Sequence, residues 1–288
     1  MILQRAFVCL AISLLVGPIW ADNDDSKKPR YLALGDSLAF GYNPQVQPPN
    51  LSLYIGYPKI VAAVADLGLA NASCPGETTS TFIGISAVYF PGFNCVAMQE
   101  QNQLFVPYDG AESQLDYALA FLKANRSTKL VTVDIGVNDI GILQYDCTAQ
   151  HLGHPQDILA CEENGLLGTL ATIAQNLTTI FSGLRAGGYK KTIVAVDAFA
   201  FNYRDPVEVG ALGAFNALTA QVASQFGVEI ADVYPVFERA ATPFGGDTCA
   251  AGLLVKLPNG TCDTHPNLAG QALIASTVLQ VIESKPPK

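Results

Sequence analysis

Five short runs that are apolar throughout recur along the chain, and each is followed by a longer stretch whose apolar positions return every three or four residues. "YLALGD" precedes Tyr57 to Leu67, "LANASC" precedes Ala111 to Lys123, and "KLVTVDIG" precedes Leu166 to Arg185. "TIVAVDAF" precedes Val207 to Phe226, and "VEIADV" precedes Leu268 to Glu283. Runs without polar alternation suit strands buried on both faces, and strand-then-helix alternation is the pattern of a parallel sheet covered by helices. The expectation is an α/β protein, a three-layer α/β/α sandwich around a five-stranded parallel sheet, in one domain over residues 30–288. Three segments interrupt the alternation: Thr79 to Gly110, Ile140 to Gly165 and Pro235 to Pro266. They are expected to be long irregular loops, functional or stapled.

The first 21 residues follow a different rule. Arg5 precedes an apolar stretch from Ala6 to Val16, then come Gly17, Pro18 and a small residue at Ala21 before the acidic "DNDD". That order predicts a secretory signal over residues 1–21 and a polar leader over 22–29, because the apolar core falls short of the roughly 20 residues that span a bilayer. An exported protein without stable membrane insertion is expected. With half of its 288 residues hydrophobic and 14% charged, the chain can bury a sizeable core. Loss of Arg5 with the signal takes the net charge from -9 to -10, and no basic stripe of the kind nucleic acids need is visible. A monomer is expected.

Export changes how cysteines read, since an oxidising compartment favours disulfides. Six remain after residue 21 and fall into sequential couples, Cys74 with Cys95, Cys147 with Cys161, and Cys249 with Cys262, although six cysteines allow 15 connectivities. Each couple lies in or beside one of the three interrupting segments. The stretch "CTAQHLGHPQDILAC" also offers His151 and His154 between two cysteines, a loose zinc-like spacing. A bridge is the preferred reading there, and no metal is assigned.

Ligands of an open parallel sheet gather beyond the carboxyl ends of its strands, which puts weight on "GDSLAFG", "CPGETTS", "GVNDIG", "DAFAFNY" and "DVYPVF". Ser37 follows the first strand, where the chain turns. A serine hydroxyl is a weak nucleophile without a base, and the chain holds three histidines: His151, His154 and His265. His265, immediately before the last helix, is placed to project over the sheet. "GDS" alone is weak evidence, because Gly, Asp and Ser populate turns for conformational reasons.

Taken together, "LGDSL" after the first strand, Gly76 after the second, "GVND" after the third and "HPN" before the last helix resemble the SGNH (GDSL-type) hydrolase family. The stretch "FNALTAQVASQFGVEIADVYPVF" also resembles that family's late helix and strand. The resemblance implies a flavodoxin-like sheet, no cofactor, Ser37 as nucleophile and His265 as general base. It further implies an oxyanion hole made by the amide N–H groups of Ser37 and Gly76 and the side chain of Asn138. Asp36 is read as a turn residue. The family usually has an aspartate three residues before the histidine, where this chain has Cys262. Three orienting groups stay open: Asp263, a backbone carbonyl near Cys262, or a distant acid such as Asp197. The activity implied is that of a secreted carboxylesterase or lipase, with a small-molecule or lipid ester as partner. A carbohydrate-ester deacetylase and a silent binding protein on the same fold are the alternatives. Aromatic residues in "AVYFPGF", "DAFAFNY" and "YPVF" are candidates to line an acyl groove.

Overall fold

Arg30–Gly35 forms β1, the second strand of a sheet whose order is β2-β1-β3-β4-β5. Its partners are β2 (Gly68–Asn71), β3 (Leu130–Asp134), β4 (Thr192–Val196) and β5 (Glu229–Ala231), and all pairs are parallel. This computed structural model describes residues 28–46, 51–86, 88–91, 94, 96–97 and 113–284. The predicted signal, all but two residues of the polar leader, and Cys95 lie outside the described residues.

Alternation along each strand sorts the core into two layers. Leu32 and Leu34 of β1, Val131 and Val133 of β3, and Ile193 and Ala195 of β4 enter one apolar cluster with Phe82, Ile173, Phe181 and Phe215. Tyr31, Ala33, Leu130, Val194 and Val196 face the other way, against Tyr57, Val61, Phe237, Ile274 and Val278. The first face is covered by α3 (Thr79–Phe82), α4 (Gln114–Ala124), α6 (Pro155–Ala186) and α7 (Pro206–Gln225). The second is covered by α2 (Tyr57–Val64), α8 (Tyr234–Ala241) and α9 (Leu268–Glu283). Fully burying a side chain the size of Phe181 or Phe237 is worth about 1.5–3 kcal/mol, so both layers are well anchored. β1 has β2 on one side and β3 on the other. The crossover that leaves β1 runs through α2 over the second face and the one that leaves β3 runs through α6 over the first, so a crevice opens at the carboxyl ends of β1 and β3.

Two of the expected irregular segments are regular. Between Ile140 and Gly165 the chain completes α5 (Val137–Gln150) and begins the 32-residue α6, with Cys147 and Cys161 bonded across the hairpin. Ile140 and Cys147 of α5 are buried, but no residue of α6 before Leu170 is. With no apolar stripe to read, "EENG" looks like a loop. Gly165 serves packing: a Cβ there would lie 2.4 Å from Leu143 Cδ1. The segment Pro235 to Pro266 holds most of α8 and an antiparallel hairpin of β6 (Leu254–Lys256) and β7 (Cys262–Pro266). Cys249 is bonded to Cys262 at the start of β7. Cys74 is disulfide-bonded as well, and its expected partner Cys95 is outside the described residues.

Candidate active site

The carboxyl end of β1 is shaped by close backbone approach. Gly35 has φ 138°, and a Cβ on it would fall 2.0 Å from Asp134 Oδ1. The chain then turns into the four-residue α1 (Ser37–Phe40), with Asp36 as its N-cap, Oδ1 accepting from the Leu38 N–H at 2.9 Å. The Asp36 N–H donates to the Asp134 carbonyl at 3.2 Å and to Asp134 Oδ1 at 3.1 Å. Asp36 thus has the turn role read from its position. Asp134 went unnoticed in the sequence because a lone acid at a strand end carries no periodic signal.

Ser37 and His265, 228 residues apart, meet: Oγ lies 2.9 Å from Nε2. β7 presents the imidazole, and its other nitrogen, Nδ1, lies 2.5 Å from Asp263 Oδ1. The same oxygen accepts the His265 N–H at 2.9 Å, so Asp263 curls back onto its own strand. This local turn lets an acid two residues before the histidine reach the ring. Asp197, the distant candidate, is engaged elsewhere, accepting the Val233 N–H at 2.6 Å. Tyr42 stands edge-on to His265 with ring centroids 4.7 Å apart, a neighbour the sequence reading did not single out.

The other two predicted residues stand beside the serine turn. Asn138, in the first turn of α5, donates through Nδ2 to the Glu77 carbonyl at 2.8 Å and, more weakly, to Asp36 Oδ2 at 3.3 Å. Gly136 caps α5 with φ 119°, and a Cβ there would strike the Phe215 ring at 2.7 Å. Gly76 has φ 76° and its carbonyl accepts the Phe90 N–H at 2.9 Å. Among the described residues no acceptor lies at the amide N–H of Ser37 or of Gly76. Asp139 fastens α5 to α3, accepting the Thr79 N–H at 2.9 Å and the Thr79 hydroxyl at 2.6 Å. Asn176 of α6 donates to Thr79 and Ser80.

Burial dominates the electrostatics. It pushes the Asp36 carboxyl up to about 6, opposed by the Leu38 N–H and the charge of His265. It drives Asp134 well above the usual carboxylate range, with the charge of Asp36 adding to the rise. Burial would also raise Asp263, but the hydrogen bonds and charge of His265 together hold it below its ordinary value. Tyr42 is pushed up to about 12 by burial and by the charge of Asp263.

The remaining candidates separate from this cluster. His154 and His151 flank the turn between α5 and α6, and the two sulfurs beside them are joined to each other, which removes them as metal ligands. Phe199 stacks on Phe237 at 4.1 Å in the second core layer, and the Tyr203 hydroxyl donates to the Tyr234 carbonyl at 2.9 Å. Much of "DAFAFNY" and "YPVF" is therefore packing rather than groove lining. Of "AVYFPGF", Ala87, Gly92 and Phe93 lie outside the described residues.

Residues 33–273 match the profile of the GDSL-like Lipase/Acylhydrolase family. No curated protein matches the chain. Among solved structures, phospholipase A1 from Streptomyces albidoflavus is similar with TM-score 0.55 and 20% identity, over 90% of this chain and 100% of that one. An acetylxylan esterase from Geobacillus stearothermophilus is similar with TM-score 0.52 and 16% identity, over 89% and 95%. At such identities these likenesses concern the fold.

Proposed function

The chain belongs to the GDSL-like lipase/acylhydrolase family, and from that premise we propose that it is an exported carboxylic ester hydrolase working through an acyl-enzyme on Ser37. Hydrolysis of acyl esters is the activity of the family; the residue roles and the export are our reading. The observation that carries it is the 2.9 Å approach of Ser37 Oγ to His265 Nε2, with Asp263 at the opposite ring nitrogen. In this mechanism Oγ attacks the ester carbonyl carbon as its proton passes to Nε2, and Asp263 stabilises the imidazolium. The carbonyl oxygen becomes an oxyanion that accepts hydrogen bonds from the Ser37 N–H, the Gly76 N–H and Asn138 Nδ2. Asn138 keeps one N–H on Glu77 and turns the weakly held one to the oxyanion. His265 then protonates the departing alcohol. Water, deprotonated by the same imidazole, attacks the acyl carbon and releases the acid, returning the proton to Ser37.

Two disulfides among the described residues support an extracellular or periplasmic setting, in keeping with a signal over residues 1–21. No helix among the described residues is long and apolar enough to cross a membrane. Ser37→Ala is the direct test: it should abolish cleavage of p-nitrophenyl esters while the thermal melt stays cooperative, and retained turnover would overturn the reading. A chain-length series of those esters beside an acetylated xylo-oligosaccharide separates a lipase-like preference from deacetylation. Absence of turnover on every ester would favour a silent binding protein.

A further inference from the structure

Gln114 is wholly buried at the first residue of α4, in a stretch that carries none of the motifs above. Its Oε1 accepts the Gly35 N–H at 2.6 Å, and its Nε2 donates to the Gly35 carbonyl at 3.0 Å. The registered pairing of β1 with β2 ends at Ala33 and Asn71, and beyond it the Ala72 N–H still donates to the Ala33 carbonyl at 2.9 Å and the Cys74 N–H to the Gly35 carbonyl at 3.0 Å. The Gly35 carbonyl is thus shared by the Cys74 N–H and Gln114 Nε2, while Gln114 Oε1 supplies the acceptor for the Gly35 N–H. Gln114 Nε2 also donates to Glu77 Oε2 at 3.0 Å, and Glu77 is 1% exposed. A carboxylate so buried needs its donors, which fixes the loop that carries it.

These contacts fall on the Gly35 backbone and the Glu77 side chain, in the two segments that matter for the oxyanion. Gly35 leads directly into Asp36 and Ser37, and Glu77 follows Gly76 while its carbonyl holds Asn138. Gln114 thus grips the mountings of all three donors. Preorganised donors stabilise a transition state only while their spacing is kept, and small displacements are costly. We propose that Gln114 is a positioning residue that sets the separation between the Ser37 and Gly76 N–H groups through its bridge from Gly35 to Glu77. The inference rests on the oxyanion reading given above.

The test measures kcat and KM with p-nitrophenyl butyrate and the affinity for a short alkyl boronic acid, which forms a tetrahedral anionic adduct on the serine. Gln114→Leu should lower kcat by about tenfold or more with KM within about twofold, and boronate affinity should fall in parallel. Gln114→Glu keeps the acceptor for the Gly35 N–H but faces Glu77 with a second carboxylate. It should lose activity similarly, and adding Glu77→Gln, which restores a donor to this contact from the other side, should recover several-fold. That pair decides the matter if Gln114→Leu does not fold. A folded Gln114→Leu with kcat within about twofold of wild type, kcat lost with boronate affinity unchanged, or no recovery in the exchanged pair would each overturn the inference. Ser37→Ala measured alongside separates the two levels. Turnover retained there removes the ester-hydrolase reading, whereas a dead Ser37→Ala beside a wild-type Gln114→Leu removes only the role of Gln114.

Discussion

Replacing Asp263 by Asn removes one charge from the proposed triad and leaves its shape in place. The asparagine oxygen can still accept the His265 backbone N–H that Asp263 accepts at 2.9 Å. What disappears is attraction to the imidazolium formed during acylation. With about 4 Å between charge centres and an effective dielectric constant of about 20, that attraction is about 4 kcal/mol. The Asp263 side chain is 24% exposed, so solvent screening reduces the figure to about 2–3 kcal/mol. The expected loss is therefore on the order of 10²-fold in kcat with KM nearly unchanged, since the charge matters only after attack. Steady-state hydrolysis of p-nitrophenyl butyrate measures it, with thermal denaturation run in parallel to show that the fold persists. A folded Asp263→Asn enzyme within about threefold of wild type would refute the argument and pass the orienting role to a backbone carbonyl near Cys262.

Asn138→Ala should lower kcat by about 10²-fold with little change in KM, as expected for losing one oxyanion donor; a matching rise in KM instead would mean that Asn138 acts in ground-state binding. Cys249→Ser with Cys262→Ser frees the start of β7 and should reduce kcat as well as the melting temperature, because His265 rides on that strand; full activity in the doubly substituted protein would rule out an anchoring role. Cys147→Ser with Cys161→Ser opens a link with a sequence separation of 14 and should cost about 3 kcal/mol of stability in urea while sparing kcat; a lost kcat at unchanged stability would contradict this. Burial pushes Asp197 up to about 8, opposed by the Val233 N–H and helped by Asp232. The folded protein therefore keeps this proton between about pH 4 and 8, where the unfolded chain has released it, so stability falls as pH rises through that window by at most about 1.4 kcal/mol per unit. Asp197→Asn should make the urea midpoint less steep between about pH 6 and 8, and an unchanged slope would show that Asp197 does not titrate there.

Periodicity and spacing determined the layers. The strand cores of β1, β3 and β4 are continuous apolar runs because both faces of a parallel sheet are covered, and α9 begins and ends at the residues its pattern indicates. The turn role of Asp36 follows from its residue type, whereas Gly76 and Asn138 were picked out by the resemblance of "LGDSL", "GVND" and "HPN" to the SGNH (GDSL-type) hydrolase family. Tertiary structure decided whatever depends on contacts between distant segments. The hairpin of α5 and α6 buries no stripe along its outer half, so its polar sequence concealed a helix. Asp263 faces His265 across a local turn of β7, but the same ring meets Ser37, 228 residues away, only once the sheet is assembled. Gln114 accepts the Gly35 N–H from 79 residues away, and a buried amide at a helix start looks like any other polar residue until the chain folds around it. A side chain's local pattern records which way it faces; its partner is set by topology, which no short window of sequence contains.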